Sequence, residues 1–169
     1  YILEPFAGVG TTPISLATLG INCGYSEINP AMQIVIKVKS EVLKLPRSEK
    51  KKLSNEIKSL ANIIDQRIID LHEDNDLRES YKLTFKDSQY FEDDTFSLIL
   101  KTRSLIDSIN VKNNLLGQLL EVAVMSIIVR CSLLKRAGDV RFKTKKEVAK
   151  GIPNYIENLK KQLFQMSDD

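Results

Sequence analysis

The strongest constraint on this chain lies in residues 1–30, where a strand, a glycine turn, a helix and a second strand follow one another with almost no linker. Tyr1-Ile-Leu is a short apolar run that enters Pro5-Phe-Ala-Gly-Val-Gly10, a tight turn. Thr11 to Leu19 then places Ile14, Leu16, Ala17 and Leu19 at helical spacing. Gly20 stops that helix as a C-cap glycine does. Asn22-Cys-Gly-Tyr-Ser reads as the second strand and ends at Glu27-Ile-Asn-Pro30. Such a unit predicts parallel strands and a right-handed crossover.

Residues 31–169 are different and read as a mainly helical subdomain, so the expected class is α/β with few strands. Ala31 to Leu45 forms one helix, with Asn29 as N-cap, Pro30 at the first helical position and Pro46 as the stop. Ser48 to Leu71 carries a stripe of Leu53, Ile57, Leu60, Ile64, Ile68 and Leu71 opposite a charged face. That stripe suits a helix packed on its own domain better than a coiled-coil arm, because it spans too few heptads. Asp70 to Asp76 is acidic and turn-like, and Tyr81-Lys-Leu-Thr-Phe85 alternates as a strand would. Thr95 to Ile109 and Val111 to Lys135 give two more helices, the second apolar on most faces. Asp139-Val-Arg-Phe-Lys143 is a short strand after Gly138, and Glu147 to Gln165 is a last helix interrupted by Gly151 and Pro153.

Composition excludes several classes. With 43% hydrophobic and 28% charged residues, the chain is far from the disordered regime. Cys23 and Cys131, in apolar surroundings, fit reduced core thiols and a cytoplasmic setting better than a disulfide framework. Two cysteines and the lone His72 cannot supply a zinc site, and His72 sits in a polar run that suits a solvated loop better than a catalytic triad. Leu115 to Leu134 is long enough to span a bilayer but contains Gln118, Glu121 and Arg130, so a buried helix is expected and no membrane partner. The chain opens at Tyr1 without an initiator Met or targeting sequence and reads as an excised piece.

The net charge of +3 conceals segregation. Residues 37–58 hold 8 basic and 3 acidic side chains, 65–94 hold 4 and 10, and 135–161 hold 9 and 3. Lys135, Arg136, Arg141, Lys143, Lys145 and Lys146 can track a phosphate backbone, or they can be a solvated face.

A strand that runs into a glycine turn and a helix brings backbone N–H groups and bare main chain against a ligand. Gly8 and Gly10 remove side chains that would block such an approach, and Glu27, at the end of the next strand, is placed to accept both hydroxyls of a ribose. Glu4 can accept from a cationic or amino group. The dinucleotide pattern needs glycine where Pro13 stands, and the P-loop's Gly-Lys-Ser/Thr is absent. What remains is a nucleoside site without a phosphate cradle, which suits S-adenosylmethionine, a cationic cofactor lacking phosphate. Thr11 and Thr12 either contact the ligand or cap the helix start.

Glu4-Pro5-Phe6-Ala7-Gly8-Val9-Gly10-Thr11-Thr12 resembles the S-adenosylmethionine motif of amino-directed DNA methyltransferases, which act on adenine N6 or cytosine N4. That motif typically reads Asp-Pro-Phe-x-Gly-x-Gly-Thr-Thr. Gly24-Tyr-Ser-Glu27-Ile28-Asn29-Pro30 looks like the family's second motif, in which the Glu binds the ribose. The resemblance covers about 30 residues closely. It implies a partial Rossmann-like methyltransferase sheet with a large helical insertion, S-adenosylmethionine as cofactor, and DNA as substrate. By the same resemblance the cofactor's adenine lies near Ile28, and the basic residues 135–161 face DNA.

The departures are specific. Glu4 replaces the commoner Asp and keeps the carboxylate. The family's Asp/Asn/Ser-Pro-Pro-aromatic catalytic motif is absent, since Pro5, Pro13, Pro30, Pro46 and Pro153 are never adjacent. Neither cysteine follows a proline, as a cytosine-C5 nucleophile usually does. No methyl transfer is therefore expected from this chain alone, and no catalytic residue is assigned. A two-stranded parallel sheet is a poor stand-alone structure. Further strands are expected downstream of Asp169 or in a partner subunit, and exposed edges invite self-association. Two rival readings share the features: a guanine-N2 RNA methyltransferase, which has a similar opening motif, and a non-catalytic subunit that binds a partner through helices 95–165.

Overall fold

Ile2–Glu4 (β1) and Cys23–Tyr25 (β2) pair in parallel, with Ile2 opposite Cys23 and Glu4 opposite Tyr25, as the sequence predicts. They belong to a computed structural model that describes residues 1–168. The chain divides into two compact units, Tyr1–Lys52 and the residues from Leu53 onward.

In the first unit, Thr11–Thr18 (α1) joins the strands and packs on β2 and on Pro30–Lys44 (α2). α1 closes with a Schellman pair of bonds, Gly20 N–H to the Ala17 carbonyl at 3.1 Å and Ile21 N–H to that of Leu16 at 2.9 Å. α2 begins as expected: the Asn29 side chain accepts the Ala31 N–H at 2.9 Å, and Pro30 occupies the first turn. It ends at Leu45, held extended ahead of Pro46. The sheet of this unit leaves Tyr1, Leu3, Phe6 and Ile28 exposed.

The second unit is helical apart from one hairpin. Arg47–Ile69 (α3), whose first turn lies in the first unit, buries Leu53, Ile57, Leu60, Ala61, Ile64 and Ile68. The stripe therefore serves its own domain, each fully buried aliphatic side chain contributing about 1.5–3 kcal/mol. Leu71 lies beyond the helix end and is half-buried. Asn75–Phe85 (α4), Asp93–Asn110 (α5) and Asn114–Ile127 (α6) follow, then the antiparallel pair Leu134–Ala137 (β3) and Asp139–Phe142 (β4). Lys145–Val148 (α7) and Tyr155–Asp168 (α8) complete it. α5 packs on α6 and α6 on α8, enclosing Leu100, Leu105, Leu120, Leu159 and Leu163. α8 runs against α3, with the Ser54 hydroxyl donating to the Ser167 carbonyl at 2.7 Å and Lys160 paired with Asp65 at 2.9 Å. Arg103 ties three helices by meeting Asp74 at 4.0 Å, Asp107 at 3.3 Å and Glu121 at 3.5 Å.

Three expectations are corrected. Tyr81 to Phe85 is not a strand but the last part of α4. Asp74 caps that helix by accepting the Leu77 N–H at 2.8 Å, so the acidic turn ends before Asn75. The helix puts the Tyr81 and Phe85 rings one turn apart with centroids at 5.0 Å, brings Phe96 to 4.5 Å from Tyr81, and leaves Leu83 exposed. A strand would have put all three side chains on one face. Second, Val111 to Lys135 is not one helix. Asn113 starts α6 by accepting the Leu116 N–H at 3.2 Å, and α6 ends at Ile127. Leu134 and Lys135 then enter β3, drawn there by the Leu133 N–H to the Tyr90 carbonyl at 2.7 Å and the Leu134 N–H to the Ser132 hydroxyl at 3.0 Å. The expected strand 139–143 is β4, running to Phe142, and β3 is its partner. Third, the last helix is two helices, separated around Gly151 and Pro153, and the first of them starts at Lys145.

Cys131 is fully buried and Cys23 half-buried, both free. His72 lies exposed in the turn after α3. Among the described residues no helix is long and apolar enough to cross a membrane, and no cluster of His, Cys, Asp and Glu could hold a metal ion.

Candidate functional site

The turn after β1 and the end of β2 meet through hydrogen bonds that neither segment could make alone. The Ser26 N–H donates to the Glu4 carbonyl at 2.9 Å, and the Ala7 N–H to that of Ser26 at 3.0 Å, which extends the parallel ladder into the turn. This brings the Glu27 carboxylate against the turn. Its Oε2 accepts the Gly8 N–H at 2.7 Å and its Oε1 accepts the Asn29 N–H at 2.7 Å. Residues 19 positions apart thus meet at the C-terminal ends of both parallel strands, where open α/β sheets place their ligands.

The glycines divide their work. Gly8 has φ +53° and open space where a Cβ would stand, so it bares the turn to solvent. Gly10 has φ +80°, and a Cβ there would lie 2.7 Å from Cγ1 of Ile36, a fully buried side chain of α2. Its missing side chain therefore serves helix packing. Gly10 is also the N-cap of α1, with no side-chain capping bond, so Thr11 and Thr12 are exposed first-turn residues and not caps.

The remaining motif residues are placed as follows. Glu4 turns its Oε1 to the Phe6 N–H at 3.1 Å. Ala7 is buried, whereas Phe6 and Ile28 are 88% and 95% exposed, apolar surfaces beside the turn with nothing packed on them. Pro5 shapes the exit of β1, and Asn29 is committed to capping α2. Two residues of α2 that the motifs do not mark complete the frame: Gln33 donates to the Glu27 carbonyl at 2.6 Å, and Lys39 to that of Val9 at 2.9 Å. Gln33 could have been inferred from its position one turn into a helix that starts beside Glu27. Lys39 leaves no such trace, because only the packing of α2 on the turn brings it there.

The basic residues are less uniform than their letters. Glu147 collects Arg141 in two bonds of 2.8 and 3.0 Å and Lys135 at 2.8 Å, and forms a capping box with Thr144. The Arg141 guanidinium, then the Lys135 ammonium, hold the Glu147 carboxyl well below the usual carboxylate range, and Glu147 in turn raises Arg141. Lys143 donates to the carbonyls of Arg130 and Ser132. Of the six residues expected to face a phosphate backbone, Arg136, Lys145 and Lys146 are exposed with no partner among the described residues. The others brace the β3–β4 hairpin. Glu147 is the residue sequence reading missed here, although Thr144-x-x-Glu147 is itself a capping-box signature.

No family model, no curated protein and no solved structure matches this chain.

Proposed function

We propose that this chain is the S-adenosylmethionine-binding part of a DNA methyltransferase acting on an exocyclic amino group of adenine or cytosine, with a partial Rossmann-like sheet and a helical insertion. The observation that carries the reading is the meeting of Glu27 with the Gly8 turn at the ends of two parallel strands. A carboxylate has about four acceptor positions. Glu27 uses one on each oxygen, toward Gly8 and Asn29, and keeps the rest for the two hydroxyls of a ribose. Ile28 offers an uncovered apolar surface for the adenine. Gly8 leaves room for the methionine part, and Glu4 contributes negative charge toward a cationic ligand. Bound there, S-adenosylmethionine would supply an electrophilic methyl group. This chain's residues hold and orient the cofactor; the amino-directed catalytic motif is not among them. DNA, carried on Arg136, Lys145 and Lys146, which have no partner among the described residues, and a partner segment or subunit that completes the sheet are parts of the same reading.

Calorimetric titration of the full chain with S-adenosylhomocysteine tests it. Saturable binding that weakens at least about tenfold in Glu27→Ala is expected, the loss of hydrogen bonds to a charged acceptor being worth that much. Unchanged affinity in Glu27→Ala removes the ribose role, and no binding at millimolar ligand removes the reading for this chain.

A further inference from the structure

The second unit contains an open cleft of about 740 Å³ between α6, the β3–β4 hairpin and α7, within the size range of small-ligand sites. Met125, Val129, Leu134 and Pro153 give it an apolar wall. Arg130, Lys135, Arg136, Lys143 and Lys150 stand around that wall, and Glu147 is the one carboxylate among its described lining residues.

Two of these cations are occupied inside the fold: Lys135 is paired with Glu147, and Lys143 is turned to backbone carbonyls. Three are not compensated. Arg136 and Lys150 are exposed and have no partner among the described residues, and Arg130 reaches a neutral amide oxygen, that of Asn158, at 3.4 Å. Like charges gathered at one cleft without a counterion repel one another and create a positive potential that favours an anionic ligand. An inorganic anion alone would leave the apolar wall uncovered. An apolar ligand alone would strip water from the cations without replacing it. A nucleotide has both parts, a phosphate for guanidinium and ammonium donors and a flat base for the wall.

We infer that this cleft binds a nucleotide, with the phosphate on Arg130, Arg136 and Lys150 and the base against Met125, Val129, Leu134 and Pro153. The inference deepens the nucleic-acid side of the function proposed above and is independent of its cofactor side. Both a free nucleotide and one nucleotide of a strand carry this chemistry.

The test is fluorescence anisotropy of the full chain with a short fluorescein-labelled single-stranded oligodeoxynucleotide, challenged separately with AMP and inorganic phosphate. Circular dichroism confirms the fold of each variant. Expected is saturable binding that AMP reverses at concentrations where phosphate does not. The pair Arg136→Glu, Lys150→Glu weakens binding at least about tenfold. The pair Lys50→Glu, Lys51→Glu, exposed and outside the cleft lining, changes it by less than about threefold, and Met125→Gln weakens AMP competition severalfold. AMP binding, by direct titration, without strand binding assigns the cleft to free nucleotides; strand binding that AMP reverses assigns it to nucleic acid. Equal loss in both charge-reversed pairs means a diffuse basic surface and overturns the inference. So does strand binding that AMP leaves untouched, or no binding of either ligand. Glu27→Ala, the variant that disables the cofactor site, leaves all these values unchanged, so failure of either proposal is told apart from failure of the other.

Discussion

The carboxylate of Glu27 accepts the backbone N–H of Gly8 at 2.7 Å, closing the end of β2 onto the turn that follows β1. With its second oxygen on the Asn29 N–H, the same side chain also sets the start of α2. The proposed ribose-binding role and the structural role therefore converge on one residue, and the two can be separated. Glu27→Gln keeps the shape but offers one acceptor oxygen in place of two, so one of the N–H groups loses its partner. Hydrogen exchange read by NMR should show the Gly8 or the Asn29 amide exchanging at least about tenfold faster, with the α5 and α6 amides unaffected. Unchanged protection at both amides would mean that the carboxylate does not hold the turn.

Gly10 and Gly8 should respond differently to alanine. At Gly10 the new methyl meets Ile36 at 2.7 Å in a backbone with positive φ, so overpacking and conformational strain add to roughly 2–5 kcal/mol. At Gly8 only the left-handed backbone is penalised, about 1–2 kcal/mol, because the space is open. Urea unfolding followed at Tyr25 by site-resolved NMR separates them, and an equal cost at both positions would contradict the packing of α2 on the turn.

Acid should reach the β3–β4 hairpin late. The Glu147 carboxyl is depressed by Arg141 first and Lys135 second. A group with a lowered folded-state pKa contributes its stability above the unfolded carboxylate value and loses it only as pH falls through the lower folded value. The hairpin signals of Lys135 and Arg141 should therefore be unchanged from neutral pH through pH ~4 and shift only in stronger acid. Carboxyl carbon shifts of Glu147 that titrate with the exposed glutamates would refute the ion cluster.

Leu120 is fully buried where α6 is flanked by α5 and α8, and Val111 is 87% exposed at the α5 C-cap. Leu120→Ala should cost about 2–5 kcal/mol in chemical denaturation and Val111→Ala within about 0.5 kcal/mol. Comparable costs would mean that the core is not centred on α6.

The two thiols should be kinetically distinct. Burial pushes the Cys131 thiol up, away from the reactive thiolate, and denies reagent access, whereas Cys23 is half-buried at the strand edge. A disulfide reagent should modify Cys23 in the folded chain and Cys131 only after denaturant is added. Simultaneous modification of both would place Cys131 outside the core.

What the letters alone determined is local. Asn29-Pro30 starts α2 and Pro46 ends it because capping and the proline ring act within a few residues. Gly20 stops α1, and the stripe from Leu53 to Ile68 announces its buried face because helical periodicity is a property of the segment itself. The parallel pairing of β1 and β2 and the meeting of the glycine turn with Glu27 followed from one short strand, helix, strand unit, whose geometry leaves little choice. The tertiary structure decided wherever a partner distant in sequence outweighed local preference. Tyr81 to Phe85 alternates like a strand, yet the rings of Phe96 and Tyr90 reward a helix that gathers Tyr81 and Phe85 on one side. The apolar run after Ile127 would extend α6, but the Tyr90 carbonyl and the β4 ladder take its N–H groups instead. Gly10 answers to Ile36, and Lys135 and Arg141 answer to Glu147. Each of these choices rests on a contact between separate elements, which the folded chain brings together and the propensity of one segment does not display.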